Sequence, residues 1–87
     1  MKNINIADNK TEHVHTRTKQ AAMNLLICIL DEGETLHFDS YLSQRAGYRV
    51  YRVVKDMADH GTVSDLGTRY ELNQPAGATT CIWWDED

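Results

Sequence analysis

The stretch "FDSYLSQRAGYRVYRVVKDMADHGTV", residues 38–63, decides how the whole chain is read. Between Tyr41 and Lys55 it holds Arg45, Arg49, Arg52 and Lys55 and no acid, although the chain carries 13 acidic against 9 basic side chains. Phe38, Tyr41, Leu42 and Ala46 recur at helical spacing, which predicts one apolar face of a short helix ended by Gly47. At about 100° per residue, Val50, Val53, Val54 and Met57 then share a face, Arg49, Arg52 and Asp56 lie nearly opposite, and Tyr48, Tyr51 and Lys55 occupy a flank. That phase predicts a further amphipathic helix over 48–60 with a basic exposed side. Its valines are weak helix formers, so packing rather than propensity has to hold it.

Upstream, "TRTKQAAMNLLICILDEG" (16–33) offers Thr16 or Thr18 as N-cap and Gly33 as a stop. Ala22, Leu25, Leu26 and Ile29 form an apolar stripe that Met23, Ile27 and Leu30 widen, so this first helix is expected to be covered on more than one side. "ETLHF" (34–38) suits an extended segment. Residues 1–15 lack periodicity and read as a flexible N-terminal arm ahead of a domain over 16–84, with Asp85, Glu86 and Asp87 as an acidic tail.

Downstream of Gly61 the period changes to two. Thr68, Tyr70 and Leu72 alternate with Arg69 and Glu71, and "ATTCIWW" (78–84) is rich in β-formers. The main hairpin is either Thr62–Leu66 with Thr68–Asn73 or Arg69–Asn73 with Thr79–Trp84, and both fit together in one three-stranded sheet. Trp83 and Trp84, adjacent on a strand, must point to opposite faces; one belongs in the core, and the other either marks an interface for a second copy or another protein or is covered by the first helix or the arm.

The net charge of −4 is concentrated at the end: over residues 1–84, nine basic side chains face ten acidic ones. Local sign therefore says more about partners than the total does. Asp31, Glu32, Glu34 and Asp39 cluster just before the acid-free stretch. An 87-residue chain supports one modest core and is too short for a cleft between two lobes. The longest apolar run, Leu25–Leu30, is far below a membrane span, and the first 15 residues carry no apolar signal core, which places the protein in the cytoplasm without a membrane partner. Cys28 and Cys81 read as buried thiols. His13 and His15 lack partners at metal-site spacing, and no phosphate loop, Cys-x-x-Cys pair or His-Glu-x-x-His motif is present. No cofactor, metal or catalytic activity is expected.

The order helix, extended segment, helix, helix, hairpin resembles the winged helix DNA-binding domains. Leu42-Ser43 stands where that family has its helix-2 pair, Ala46-Gly47 at the turn, Arg49-Val50 with Val54 and Met57 in the recognition helix, and Asp59–Val63 at the step into the wing. The interval from Leu42 to Val50 is about three residues shorter than the family's. The resemblance implies an α+β fold, a three-helix winged helix with a C-terminal two- or three-stranded antiparallel sheet. It further implies a regulator reading duplex DNA, with Arg49 and Arg52 as base or phosphate contacts, Arg45, Lys55 and Arg69 on the backbone, and Tyr48 and Tyr51 donating to phosphate. A basic helix face is also what an ordinary solvated helix presents. The other reading is a non-catalytic protein-binding module, such as a phage- or plasmid-encoded inhibitor of a host nucleic-acid enzyme of the anti-defence or anti-CRISPR type, docking through Trp83 and Trp84 on the C-terminal strand.

Overall fold

The computed structural model describes residues 11–75 and 77–85. Thr11–Thr16 forms strand β1, Lys19–Ile29 helix α1, Thr35–Phe38 β2, Ser40–Ala46 helix α2, Arg49–Lys55 β3, Ala58–Asp65 β4, Arg69–Asn73 β5 and Thr79–Trp84 β6. The strands make one six-stranded sheet in the order β1-β6-β5-β4-β3-β2. β1 runs parallel to β6 and every other pair is antiparallel.

The helix expected over 48–60 does not exist, and with it the winged helix architecture falls. In its place β3 and β4 form a hairpin, Arg49 pairing with Asp65 and Lys55 with Ala58 across a turn at Asp56-Met57. Tyr48, Val50, Tyr51, Val53 and Val54 are aromatic or β-branched and favour a pleated surface. Helical spacing arose because apolar residues serve both faces of β3. Val53 is buried under α1, Val50 on the opposite face beside α2, so the sequence shows no simple alternation. Gly61, read as a helix stop, lies in an irregularity of β4, where the register shifts opposite Val53/Val54. Its φ of 129° and the closeness of the Asn73 carbonyl oxygen leave no room for a side chain.

The main core lies between α1 and one face of the sheet. Ala22 and Leu26 pack on Val53, Val63, Tyr70, Leu72, Ile82 and Trp84, with Met23, Leu25, Ile29, Leu30, Leu36 and Tyr51 at the margin. Thr18 is the N-cap, its hydroxyl accepting the Ala21 N–H at 3.0 Å. Met23 and Leu30 widen the stripe as expected, but Ile27 and Cys28 are exposed, which corrects the placing of both, whereas Cys81 is buried. Trp84 lies against Tyr70 with centroids 4.8 Å apart, and the Lys19 ammonium sits 5.6 Å from the Trp84 centroid while binding Asp65 at 3.0 Å.

Both candidate C-terminal hairpins form, β4 with β5 and β5 with β6. Residues 11–15 of the expected arm, with Thr16, are the edge strand β1, and the rest of that arm lies outside the described residues, as do Glu86 and Asp87 of the tail. β6 is flanked by β1 and β5, so its backbone is already paired on both sides and cannot add a partner's strand. Among the described residues, the edges of the sheet are β1 and β2.

Leu26 is completely enclosed, at 0% exposure. Leu26→Ala is expected to cost about 2–5 kcal/mol, read as a drop in the urea midpoint at unchanged slope.

Candidate functional site

α2 is built from its ends. Asp39 caps it by accepting the Leu42 N–H at 2.9 Å, and Gly47 closes it in the left-handed conformation at φ 78°. The helix is tied to β3 by the Asp39 N–H on the Val50 carbonyl at 3.0 Å and by the Ser43 hydroxyl on the Tyr48 carbonyl at 2.8 Å. Yet no residue of α2 is buried. Leu42 and Ala46, one turn apart, face a cleft of about 440 Å³ between α2 and the sheet face opposite α1. Val50 is part of its lining with Thr62 and Ser64, and Arg45 and Tyr48 complete it. Val50 and Ser64 are paired across β3 and β4, and both are more than nine-tenths buried.

Two arginines lie on aromatic rings, Arg45 at the cleft and Arg49 on the α1 side of the sheet. The Arg45 guanidinium is 5.7 Å from the Tyr41 centroid and donates to the Tyr41 hydroxyl at 3.1 Å; that of Arg49 is 5.6 Å from the Phe38 centroid. Phe38 meets Tyr51 edge-on at 5.7 Å. Phe38, Tyr41 and Tyr48 are 50%, 63% and 40% exposed. Among the described residues, neither Arg45 nor Arg49 has a carboxylate partner. Arg52 differs: it binds Asp39 at 2.7 Å and Asp59 at 3.6 Å, joining the α2 cap to β4.

The seven residues expected to contact DNA, five on the helix over 48–60 with Arg45 ahead of it and Arg69 on the wing, are therefore dispersed. Only Arg45 and Tyr48 line the cleft. Arg49 and Tyr51 alternate with Val50 and Arg52 along β3, placing them on the α1 side of the sheet. Arg52 is held by its two aspartates, Lys55 passes over Gly33, and Arg69 is stacked on Trp83 at 4.6 Å, on β5. Trp83 and Trp84 do point to opposite faces, but Trp84 is a core residue and Trp83 is half-buried beneath Arg69. Sequence reading missed Val50, Thr62 and Ser64 as partners of Leu42 and Ala46. A strand over Thr62–Leu66 is among the sequence expectations, but the helix expected over 48–60 leaves it no β3 partner to bring Thr62 and Ser64 beside Val50.

A second cleft, of about 380 Å³, is lined by Asp31, Glu34, His60, Gln74 and Pro75. Glu34, 8% exposed at its side chain, accepts the Asp31 N–H at 2.7 Å and meets His60 Nδ1 at 2.5 Å. The Asp31 amide first, then His60, holds the Glu34 carboxyl below its ordinary value. On the sheet face opposite α1 Cys81 points at Glu71, 3.9 Å from sulfur to oxygen, and burial pushes its thiol pKa up, which disfavours the nucleophilic thiolate. His15 pairs with Asp85 at 3.0 Å. Among the described residues, no three His, Cys, Asp or Glu side chains are placed to hold a metal ion, and no helix is long and apolar enough to cross a membrane.

Compared with protein-family models, curated proteins and solved structures, the chain matches none.

Because folding lowers the Glu34 pKa, its contribution to stability is complete above the ordinary value of 4.5 and is lost as pH falls through the lowered one. Glu34→Gln should lower the urea midpoint at pH 7, and the gap to wild type should close on the acid side. Parallel midpoint curves from pH 7 to pH 3 would contradict this role.

Proposed function

We propose that the protein is a non-catalytic protein-binding module whose docking site is the cleft beneath α2, and that its partner presents an apolar side chain beside a carboxylate. The observation that carries this reading is an apolar helix face, Leu42 and Ala46, only half-buried, beside Arg45, which has no carboxylate partner among the described residues. Exposed Tyr and Arg around a small apolar depression are the residue types that dominate protein interfaces, because rigid rings bury much area at little entropic cost. The cleft supplies apolar contact through Leu42, Ala46 and Val50, and the hydroxyls of Thr62 and Ser64 supply polar contact. Arg45 supplies a guanidinium for the carboxylate.

Duplex binding is less well supported by the same charges. The element that projects from the basic stretch is the β3–β4 hairpin, and its turn carries Asp56, with Asp59 just beyond. A β-ribbon entering a DNA groove with carboxylates leading would meet phosphate repulsion.

The test is a titration of the isotope-labelled protein, followed by amide chemical shifts, with three probes: blocked ten-residue peptides with a central Leu or Phe flanked by Glu, the same peptides flanked by Lys, and a random 20-base-pair duplex. The acidic peptides should shift Leu42, Ala46, Val50, Thr62 and Ser64, with Kd on the order of 100 µM, and Arg45→Glu should weaken them by about tenfold. A response to the duplex alone would replace this reading with nucleic-acid binding.

A further inference from the structure

The β3–β4 turn breaks a local rule. Asp56 and Met57 have φ of 52° and 66°, the only non-glycine residues with positive φ among those described. A two-residue hairpin turn of this kind selects Asn-Gly or Asp-Gly, since a side chain at the second position crowds the backbone there. Aspartate tolerates the left-handed region; methionine does so poorly. Met57 is also 96% exposed, the most exposed large apolar residue among those described, so the side chain that makes the turn unfavourable packs on almost nothing among them. The fold gains nothing from Met57 that glycine would not provide better. An unfavourable conformation kept at an exposed tip points to a use outside the chain.

The tip has the chemistry that the cleft lacks. Met57 is a long unbranched apolar side chain whose thioether adapts to irregular depressions, and Asp56 beside it is a carboxylate. The cleft offers Leu42, Ala46 and Val50 with Arg45. The two cannot meet within one molecule. Lys55 and Val50 are five residues apart on β3, roughly 16 Å of extended chain, and the tip is the end of the same ribbon that forms the cleft floor.

We propose that a second copy of this chain fills the cleft with the Asp56-Met57 tip, and that two copies exchange tips about a two-fold axis. In that arrangement each molecule offers a knob at one end of the β3–β4 ribbon and a depression at the other. Two ribbons laid antiparallel bring both knobs to both depressions at once, an isologous and closed contact. Each Arg45 then receives the partner copy's carboxylate. The proposal rests on the cleft being the docking site, and names its occupant.

Sedimentation velocity across a concentration series tests it. Wild type should show a concentration-dependent monomer–dimer equilibrium. Met57→Gly should weaken the dimer by at least about tenfold, yet raise the melting temperature of the monomer by a few degrees, because the turn becomes Asp-Gly. A merely structural Met57 would move both in the same direction. Arg45→Glu should weaken the dimer similarly, and Asp56→Arg combined with Arg45→Glu should restore it. A wild type that stays monomeric at about 1 mM, or a dimer that survives Met57→Gly, overturns the proposal. If the acidic peptides still shift the cleft amides of such a monomer, the docking reading stands and only the exchanged-tip occupant is lost; if neither peptide nor second copy engages it, both fall.

Discussion

The structure depends on β3 being packed from both sides. Val53 faces α1 and closes the main core with Leu26, Val63 and Ile82, while Val50, three residues earlier, is covered from the α2 side. Each buried aliphatic side chain of this size stabilises by roughly 1.5–3 kcal/mol, so one strand secures both helices. The coverage is unequal. α1 is an 11-residue helix with two residues wholly enclosed; α2 has seven residues and none buried. What remains uncovered beside Val50 is the cleft. The candidate site is thus the incompletely filled side of the strand that organises the fold.

Charge plays a different part from burial. The Asp39–Arg52–Asp59 group is partly exposed, and such contacts contribute about 0–1 kcal/mol each, well below the burial term. Its effect is on geometry. Asp39 caps α2 with one carboxylate oxygen and holds Arg52 with the other, so the helix is placed relative to β3 and β4 by a single side chain. That use of Arg52 leaves Arg45 as the cation of the cleft and Arg49 on the α1 side of the sheet, and each lies on an aromatic ring. The acid-free stretch seen in the sequence thus divides into a structural arginine and two exposed ones.

Much of the fold was legible locally. Thr18 as a cap, the extended segment at 35–38, the stop of α2 at Gly47 and the strands after Gly67 all follow from short-range signals: hydroxyl capping, left-handed glycine and period-two alternation. The opposed directions of Trp83 and Trp84 follow from the pleat alone. Residues 48–60 did not yield to the same reasoning, because a strand buried on both faces has no alternation to display. Tyr48, Val50, Tyr51, Val53 and Val54 gave the correct local preference, and the spacing of apolar residues outweighed it.

By itself the sequence determined a small α+β chain with a basic, aromatic stretch free of acids and a hairpin-rich C-terminal part; these are consequences of composition and of contacts between near neighbours. Tertiary structure decided the rest. Only pairing across β3 and β4 brings Thr62 and Ser64 to Val50, only the Asp39–Arg52 contact settles which arginine is used up, and only the parallel pairing of β1 with β6 makes a strand of residues that look like an arm. Each of these joins residues beyond the reach of a helical turn or a strand's alternation, 13 apart for Asp39 and Arg52 and towards opposite ends of the sequence for β1 and β6, and no local pattern encodes such a partner.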